Sequence, residues 1–143
     1  MMNIEDQVVS LELAKRLKEL GIKQNSLFSW QIGINLTPTL NLSFIGEINC
    51  IDISAFTVAE LGEILPKEII VNTIHYYYTQ IPCKDLQTWS IFYRNDFSGM
   101  PDCDQYYISE SDARAKMLIH LIENGYMKKD LENATGTDGN QVK

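Results

Sequence analysis

The spacing of hydrophobic residues changes near residue 21, and this change constrains the fold more than any other feature of the chain. Before it, four apolar residues recur at helical spacing: Leu13, Ala14, Leu17 and Leu20. Charged residues occupy the opposite side, so the segment predicts an amphipathic helix that ends at Gly21. After Gly21, apolar and polar residues alternate from Phe28 to Ile34, which is typical of a half-buried strand.

The clearest helix signals lie in the middle of the chain. Thr57 and Glu60 have the spacing of a capping box. Pro66 ends this second helix, because the residue before a proline avoids the α region. Gly62 lies inside it and costs about 1 kcal/mol relative to alanine. We therefore expect a large group to pack closely against Gly62.

The remaining segments complete an α+β pattern. Residues 69–81 and 88–93 are rich in β-branched and aromatic residues and predict a hairpin. A last helix is predicted from Ser109 to Gly125. The expected fold is a mostly antiparallel sheet of four to six strands packed with three helices, in the order α-β-β-α-β-β-α. Residues 1–127 form a single domain in this interpretation, and the apolar-poor segment 128–143 forms a disordered tail.

Charge and cysteine content restrict the partners and the compartment. The chain has 143 residues and a net charge of −7, which disfavours nucleic acid and anionic membranes as partners. The N-terminal residues lack the basic and apolar regions of a secretory signal, and no apolar run approaches the ~20 residues of a membrane helix. Three widely spaced cysteines, Cys50, Cys83 and Cys103, argue against a disulfide framework. These features predict a cytoplasmic protein.

Three segments carry a family resemblance. They are SLELAKRLKELG at 10–21 continuing to SLF at 26–28, SAFTVAELG at 54–62 and DARAKMLI at 112–119. In this order and spacing the chain resembles a family of short, uncharacterised bacterial proteins that are often encoded in prophage or phage regions. The resemblance implies a shared fold and a mobile-element origin. It implies no activity and no functional residues.

Arg114 is the charged residue that sequence reasoning singles out. Projected at helical spacing, it falls inside the apolar face of the last helix. A guanidinium there must be paired or must line a polar recess, since an unpaired buried charge is costly. One interpretation is a structural ion pair with Glu60 or Glu63. The other is a site for a carboxylate or phosphate ligand, which suits the planar donor fork of arginine.

An aromatic cluster supplies a candidate interface. It comprises Tyr76, Tyr77, Tyr78 and, on the facing strand, Trp89. Consecutive strand residues point to opposite faces, so the three tyrosines cannot all enter one core. At least one should lie at the surface or at a subunit contact, where tyrosine and tryptophan are favoured. The alternative is that helices of the same chain cover the second face.

The chain shows no motif for nucleophilic catalysis, phosphate binding or metal ligation, and we expect no cofactor. The leading hypothesis is a non-catalytic binding or accessory protein that associates with itself, for example as a homodimer. One alternative is a DNA-binding regulator in which residues 14–30 form a helix-turn-helix, although residues 24–66 contain no lysine or arginine. Another is an enzyme with an anion site near Arg114.

Overall fold

Three α-helices pack with two antiparallel sheets in the computed structural model, which describes residues 3–43, 50–100, 105–107 and 109–127. The elements are α1 (Leu11–Glu19), β1 (Phe28–Ile32), β2 (Pro38–Leu42), β3 (Ile51–Ser54), α2 (Val58–Ile64), β4 (Glu68–Val71), β5 (Ile74–Cys83), β6 (Thr88–Arg94), β7 (Gln105–Tyr107) and α3 (Glu110–Glu123). The predicted α+β class, antiparallel pairing and three helices are confirmed. The predicted tail, 128–143, lies outside the described residues.

The strands differ from expectation in number and grouping. The described residues contain seven strands in two sheets, rather than four to six in one. One reason is that the segment 69–81 divides at a two-residue turn, Asn72 and Thr73, into β4 and β5. Both turn residues have positive φ, as a tight hairpin turn requires.

The first sheet has the strand order β2-β1-β3. Trp30 of β1 lies opposite Leu40 and Ile53, so these side chains share one face, which packs towards the core. The opposite face, called here its outer face, carries the other side chains of the alternation: Ser29, Gln31, Thr39, Asn41, Asp52 and Ser54. Asn41 donates through Nδ2 to Gln31 Oε1 and Thr39 Oγ1 at 3.0 Å each. The outer face of the first sheet is therefore polar, and Ser29, Gln31 and Ser54 on it are buried.

The second sheet has the order β4-β5-β6-β7. Its inner face contributes Ile69, Tyr76, Ile91 and Tyr93 to a core shared with the helices. Its outer face is defined by the alternate side chains of β4, β5 and β6: Glu68, Ile70, His75, Tyr77, Thr79, Ile81, Cys83, Thr88, Ser90, Phe92 and Arg94.

Helix α1 ends where the sequence predicts. Gly21 has φ 89°, the left-handed region that glycine adopts without strain. The amide of Ile22 donates to Leu17 O at 3.1 Å and that of Gly21 to Lys18 O at 3.0 Å, which satisfies the last carbonyls of the helix. Strand β1 then occupies the place where a helix-turn-helix would have its recognition helix.

The N-terminal segment is held between α2 and α3. Val8 forms an antiparallel bridge with Thr57, and its carbonyl accepts a hydrogen bond from Ser111 Oγ at 2.9 Å. The amide of Ser10 donates to Asp112 Oδ1 at 2.8 Å. Residues more than 100 positions apart in the sequence are thus directly bonded.

Candidate functional site

Arg114 lies at the centre of a polar network between α2, α3 and β5. Its Nη2 donates to Glu110 Oε1 at 2.7 Å and to Gln80 Oε1 at 2.8 Å, and its Nη1 donates to Val58 O at 3.2 Å. Its side chain is only 16% exposed, so the expectation that the guanidinium is buried and paired is met. The salt-bridge partner among the described residues is Glu110, one turn earlier on α3, and not Glu60 or Glu63.

Glu60 does not bond Arg114. It bonds the segment that leads into the first sheet. Its carboxylate completes the predicted capping box by accepting from the amide of Thr57 at 2.9 Å, and it also accepts from Ser26 Oγ at 2.8 Å and the amide of Leu27 at 3.1 Å. A carboxylate on α2 therefore fixes the chain that leads into β1. The sequence supplies the capping role, but it does not reveal which other donors reach the same oxygen atoms.

Gly62 makes room for the Arg114 guanidinium. A Cβ atom at this position would collide with Nη1 of Arg114 and would lie 3.5 Å from its Cζ. The large neighbour expected at Gly62 is therefore Arg114. The helix accepts a poor helix former because the guanidinium occupies the space of the missing side chain.

Tyr78 closes the network on the β5 side. Its hydroxyl donates to Gln80 Oε1 at 2.8 Å, and its ring lies 5.9 Å from Arg114 Cζ. Burial raises the pKa of Tyr78 above its ordinary value of 10.0, while the positive charge of Arg114 acts in the opposite direction. Because Arg114 already bonds Glu110, Gln80 and Val58, the network joins both helices to the second sheet.

The outer face of the second sheet is the other candidate site. Ile70 is 58% exposed and Tyr77 is 53% exposed, and Ile81 is nearly half exposed. These residues lie on the neighbouring strands β4 and β5, and Phe92 adds a partly exposed ring from β6. A group of exposed apolar side chains on one face of a sheet marks an interaction site on many proteins.

The predicted interface residues divide between the two faces of this sheet. Tyr76 is 8% exposed and belongs to the core. Tyr78 and Trp89 pack partly buried against the same core. Tyr77 alone among the four lies on the outer face, as the alternation of strand side chains requires. The prediction that at least one of the tyrosines reaches the surface is confirmed.

An open groove of about 660 Å³ lies at one end of the outer face. Its lining combines the start of β5 with the loop after β6: Ile74, His75, Tyr77, Asn95, Asp96, Phe97 and Ser98. The adjoining Asn72–Thr73 turn holds a β-branched residue at φ 68°, a strained conformation. Strain of this type is found at binding sites, where the surrounding structure enforces it.

A tight turn presents Phe97 beside the groove. Asn95 Oδ1 accepts hydrogen bonds from the amides of Phe97 and Ser98 at 2.8 Å each, and the amide of Asn95 donates to Ser98 O at 2.9 Å. Phe97 is 95% exposed despite this ordered backbone. Sequence reasoning missed Phe97, Ile70 and Ile81. For Ile70 and Ile81 the signal was the same alternation that places Tyr77.

The described residues contain neither a metal-ligand cluster nor a membrane-spanning helix. Across those ranges, no three or more His, Cys, Asp or Glu side chains lie together in a way that holds a metal ion. No helix in the same part of the chain has the length and apolar character needed to cross a membrane. Cys103 lies outside the described residues.

Comparison of this chain with protein-family models, with curated proteins and with solved structures gave no match. The family resemblance of residues 10–28, 54–62 and 112–119 therefore stays a prediction. The functional assignment depends on the geometry of the two candidate sites.

Proposed function

We propose that this chain is a non-catalytic binding protein that associates with itself through the outer face of its second sheet. The observation that carries the proposal is the exposed apolar surface of Ile70, Tyr77 and Ile81, which contrasts with the polar outer face of the first sheet. Removing such surface from water is the main driving force of association. The Nη1 and Nη2 atoms of Arg114 bond groups of the same chain, which favours a structural role for this residue, whereas its buried Nε has no partner among the described residues.

The charges on this face also favour self-association. The whole chain carries a net charge of −7, so two copies repel each other on average. The outer face carries one carboxylate, Glu68, and one guanidinium, Arg94, which offset each other. Two copies can therefore approach through this face with little electrostatic cost.

The proposal extends to the setting of the protein. We place it in the cytoplasm as an accessory protein, following its wide cysteine spacing, and among phage or prophage proteins, following the resemblance of its helical segments. Neither property enters the choice of the binding surface, which depends on exposure and register alone.

Two isoleucines provide a matched test. Ile70 and Ile51 are each 58% exposed, and they lie on edge strands of the second and the first sheet. We expect the wild-type protein to dimerise in sedimentation-velocity and light-scattering measurements. Ile70→Lys should weaken that dimer by about 10-fold or more, because it places a charge in an apolar contact, whereas Ile51→Lys should leave it unchanged.

Two outcomes would contradict the proposal. One is a wild-type protein that stays monomeric at high concentration. The other is an equal loss of association in Ile70→Lys and Ile51→Lys. Circular dichroism and urea unfolding of both variants verify that the fold is retained.

A further inference from the structure

We propose that two copies pack face to face with their two-fold axis parallel to β5, so that Glu68 of each copy pairs with Arg94 of the other. This arrangement rests on the proposed self-association and specifies its geometry. It follows from the register of three strands and from the signs of two charges.

Glu68, Tyr77 and Arg94 form one row across the second sheet. Glu68 lies opposite Tyr77 in the β4–β5 pair, and Tyr77 lies opposite Arg94 in the β5–β6 pair. Neighbouring strands are about 4.8 Å apart. The carboxylate and the guanidinium therefore originate at equal distances on opposite sides of Tyr77.

The row distinguishes two symmetric ways of stacking this face on itself, with the two-fold axis through Tyr77 either parallel or perpendicular to β5. An axis parallel to β5 lays β4 of one copy over β6 of the other, so Glu68 faces Arg94 twice and Tyr77 faces Tyr77. An axis in the same plane but perpendicular to β5 lays β4 over β4, so Glu68 faces Glu68 and Arg94 faces Arg94. Facing like charges at an interface oppose association. The parallel axis is therefore favoured.

Sheet twist does not disturb this pairing. Stacked sheets cross at about 30°, and an atom about 5 Å from the axis moves by roughly 2.5 Å under such a rotation. Glutamate and arginine side chains are long enough to accommodate this shift. Glu68 also contacts His75 through Oε1, and a carboxylate accepts several hydrogen bonds, so the contact leaves room for arginine.

The same axis brings the exposed aromatic ring onto an apolar surface. The Phe97 turn follows β6 and lies at the same end of the sheet as the turn that joins β4 to β5, as the shared groove shows. The parallel axis lays β6 of one copy over β4 of the other. This turn therefore lies over the end of the partner's β4, where Ile70 is exposed. A nearly fully exposed phenylalanine thereby gains a hydrophobic contact in each half of the dimer.

A charge exchange between two variants tests the arrangement. Glu68→Arg alone and Arg94→Glu alone each place like charges in both pairs, and we expect each to weaken homodimerisation by about 100-fold. Mixing equal amounts of the two variants should restore a dimer, because each introduced charge then faces its opposite in the other chain. Sedimentation velocity with one variant fluorescently labelled measures the mixed species.

Matched controls and the outcomes complete the design. Glu63→Arg and Lys84→Glu make the same charge changes at exposed positions outside the outer face and should leave the dimer unchanged. If a single variant fails to fold, the chain carrying both substitutions should still homodimerise. A wild-type dimer that neither single variant weakens would indicate the perpendicular axis, because like charges already face each other there, and it would overturn the arrangement but not self-association. An absence of rescue on mixing would do the same. A monomeric wild type would overturn both.

Discussion

The outer faces of the two sheets differ in chemistry and in exposure: Ser29, Gln31 and Ser54 on the first are buried, whereas Ile70, Tyr77 and Ile81 on the second are exposed. The outer face of the first sheet carries hydroxyl and amide groups that bond one another, including Asn41 to Gln31. The outer face of the second carries isoleucine, tyrosine and phenylalanine among a few charges. Both sheets bury apolar side chains on their inner faces. The inner faces therefore account for folding, and the difference between the outer faces is the basis of the proposed binding surface.

The largest expected effect is a change in the free energy of unfolding that distinguishes the two faces of β6. Tyr93 is fully buried on the inner face of β6 and donates through its hydroxyl to Pro66 O at 2.6 Å. We expect Tyr93→Ala to lower the free energy of unfolding by about 3–5 kcal/mol, because it leaves a cavity. Its neighbour Phe92 lies on the outer face, so Phe92→Ala should weaken association more than folding. Urea unfolding and sedimentation of both variants would show the reverse pattern if the faces were assigned wrongly.

Charged residues of α2 and α3 attach these helices to different sheets. Glu60 bonds the chain entering β1, whereas Arg114 bonds β5 and both helices. Arg114→Ala should cost about 2–3 kcal/mol of unfolding free energy, because it leaves the partly buried Glu110 without its cation. Arg16→Ala removes an exposed pair with Glu123 and serves as the control, with a much smaller expected loss. Equal losses by chemical denaturation would contradict a special role for Arg114.

The hairpin turns of the two sheets differ in strain. Thr73 joins β4 to β5 at φ 68°, and Leu36 lies in the β1–β2 loop at φ 60°. A β-branched residue is more strained there than leucine. We expect Thr73→Gly to raise the unfolding free energy by about 0.5–1 kcal/mol and Leu36→Gly to change it less. A destabilised Thr73→Gly variant in thermal unfolding would contradict this.

The smallest expected effect is a loss of stability at alkaline pH, and it involves only the second sheet. Burial raises the pKa of Tyr78 above 10.0, so the folded chain holds the phenol proton more tightly than the unfolded chain. The resulting stabilisation is fully present below pH 10 and is lost as pH rises through the folded pKa. Unfolding free energies measured at increasing pH should therefore fall more steeply for the wild type than for Tyr78→Phe. Parallel profiles would contradict the assignment.

Local signals in the sequence predict a large part of the fold. Gly21 and the Thr57–Glu60 capping box mark helix boundaries because the groups that cap a helix are neighbours in the chain. The separation into two sheets does not follow from local spacing, since strand alternation does not specify which strands pair. The turn at Thr73 is also not predicted from the sequence, because a β-branched residue favours a continued strand although Thr73 has a positive φ.

The candidate sites were predictable to different extents. Helical projection correctly places Arg114 inside an apolar face, but Glu110 and Gln80 become its partners only once β5 packs on α3. Strand alternation correctly brings one tyrosine, Tyr77, to the surface. The exposure of Phe97 depends on the Asn95 turn, which no periodic pattern in the sequence predicts.

The bonds between the N-terminal segment and α3 bear on synthesis at the ribosome. Val8 and Ser10 reach their partners, Ser111 and Asp112, only after about a hundred further residues have been made. Helix α1 can form early, and the segment before it can pair with Thr57 once α2 is made, but its bonds to α3 must wait until α3 emerges. Completion of the native state is thus deferred to the last stage of translation, and a truncated product ending before α3 would keep the contacts of its N-terminal segment with Phe56 and Thr57 but lack its bonds to α3.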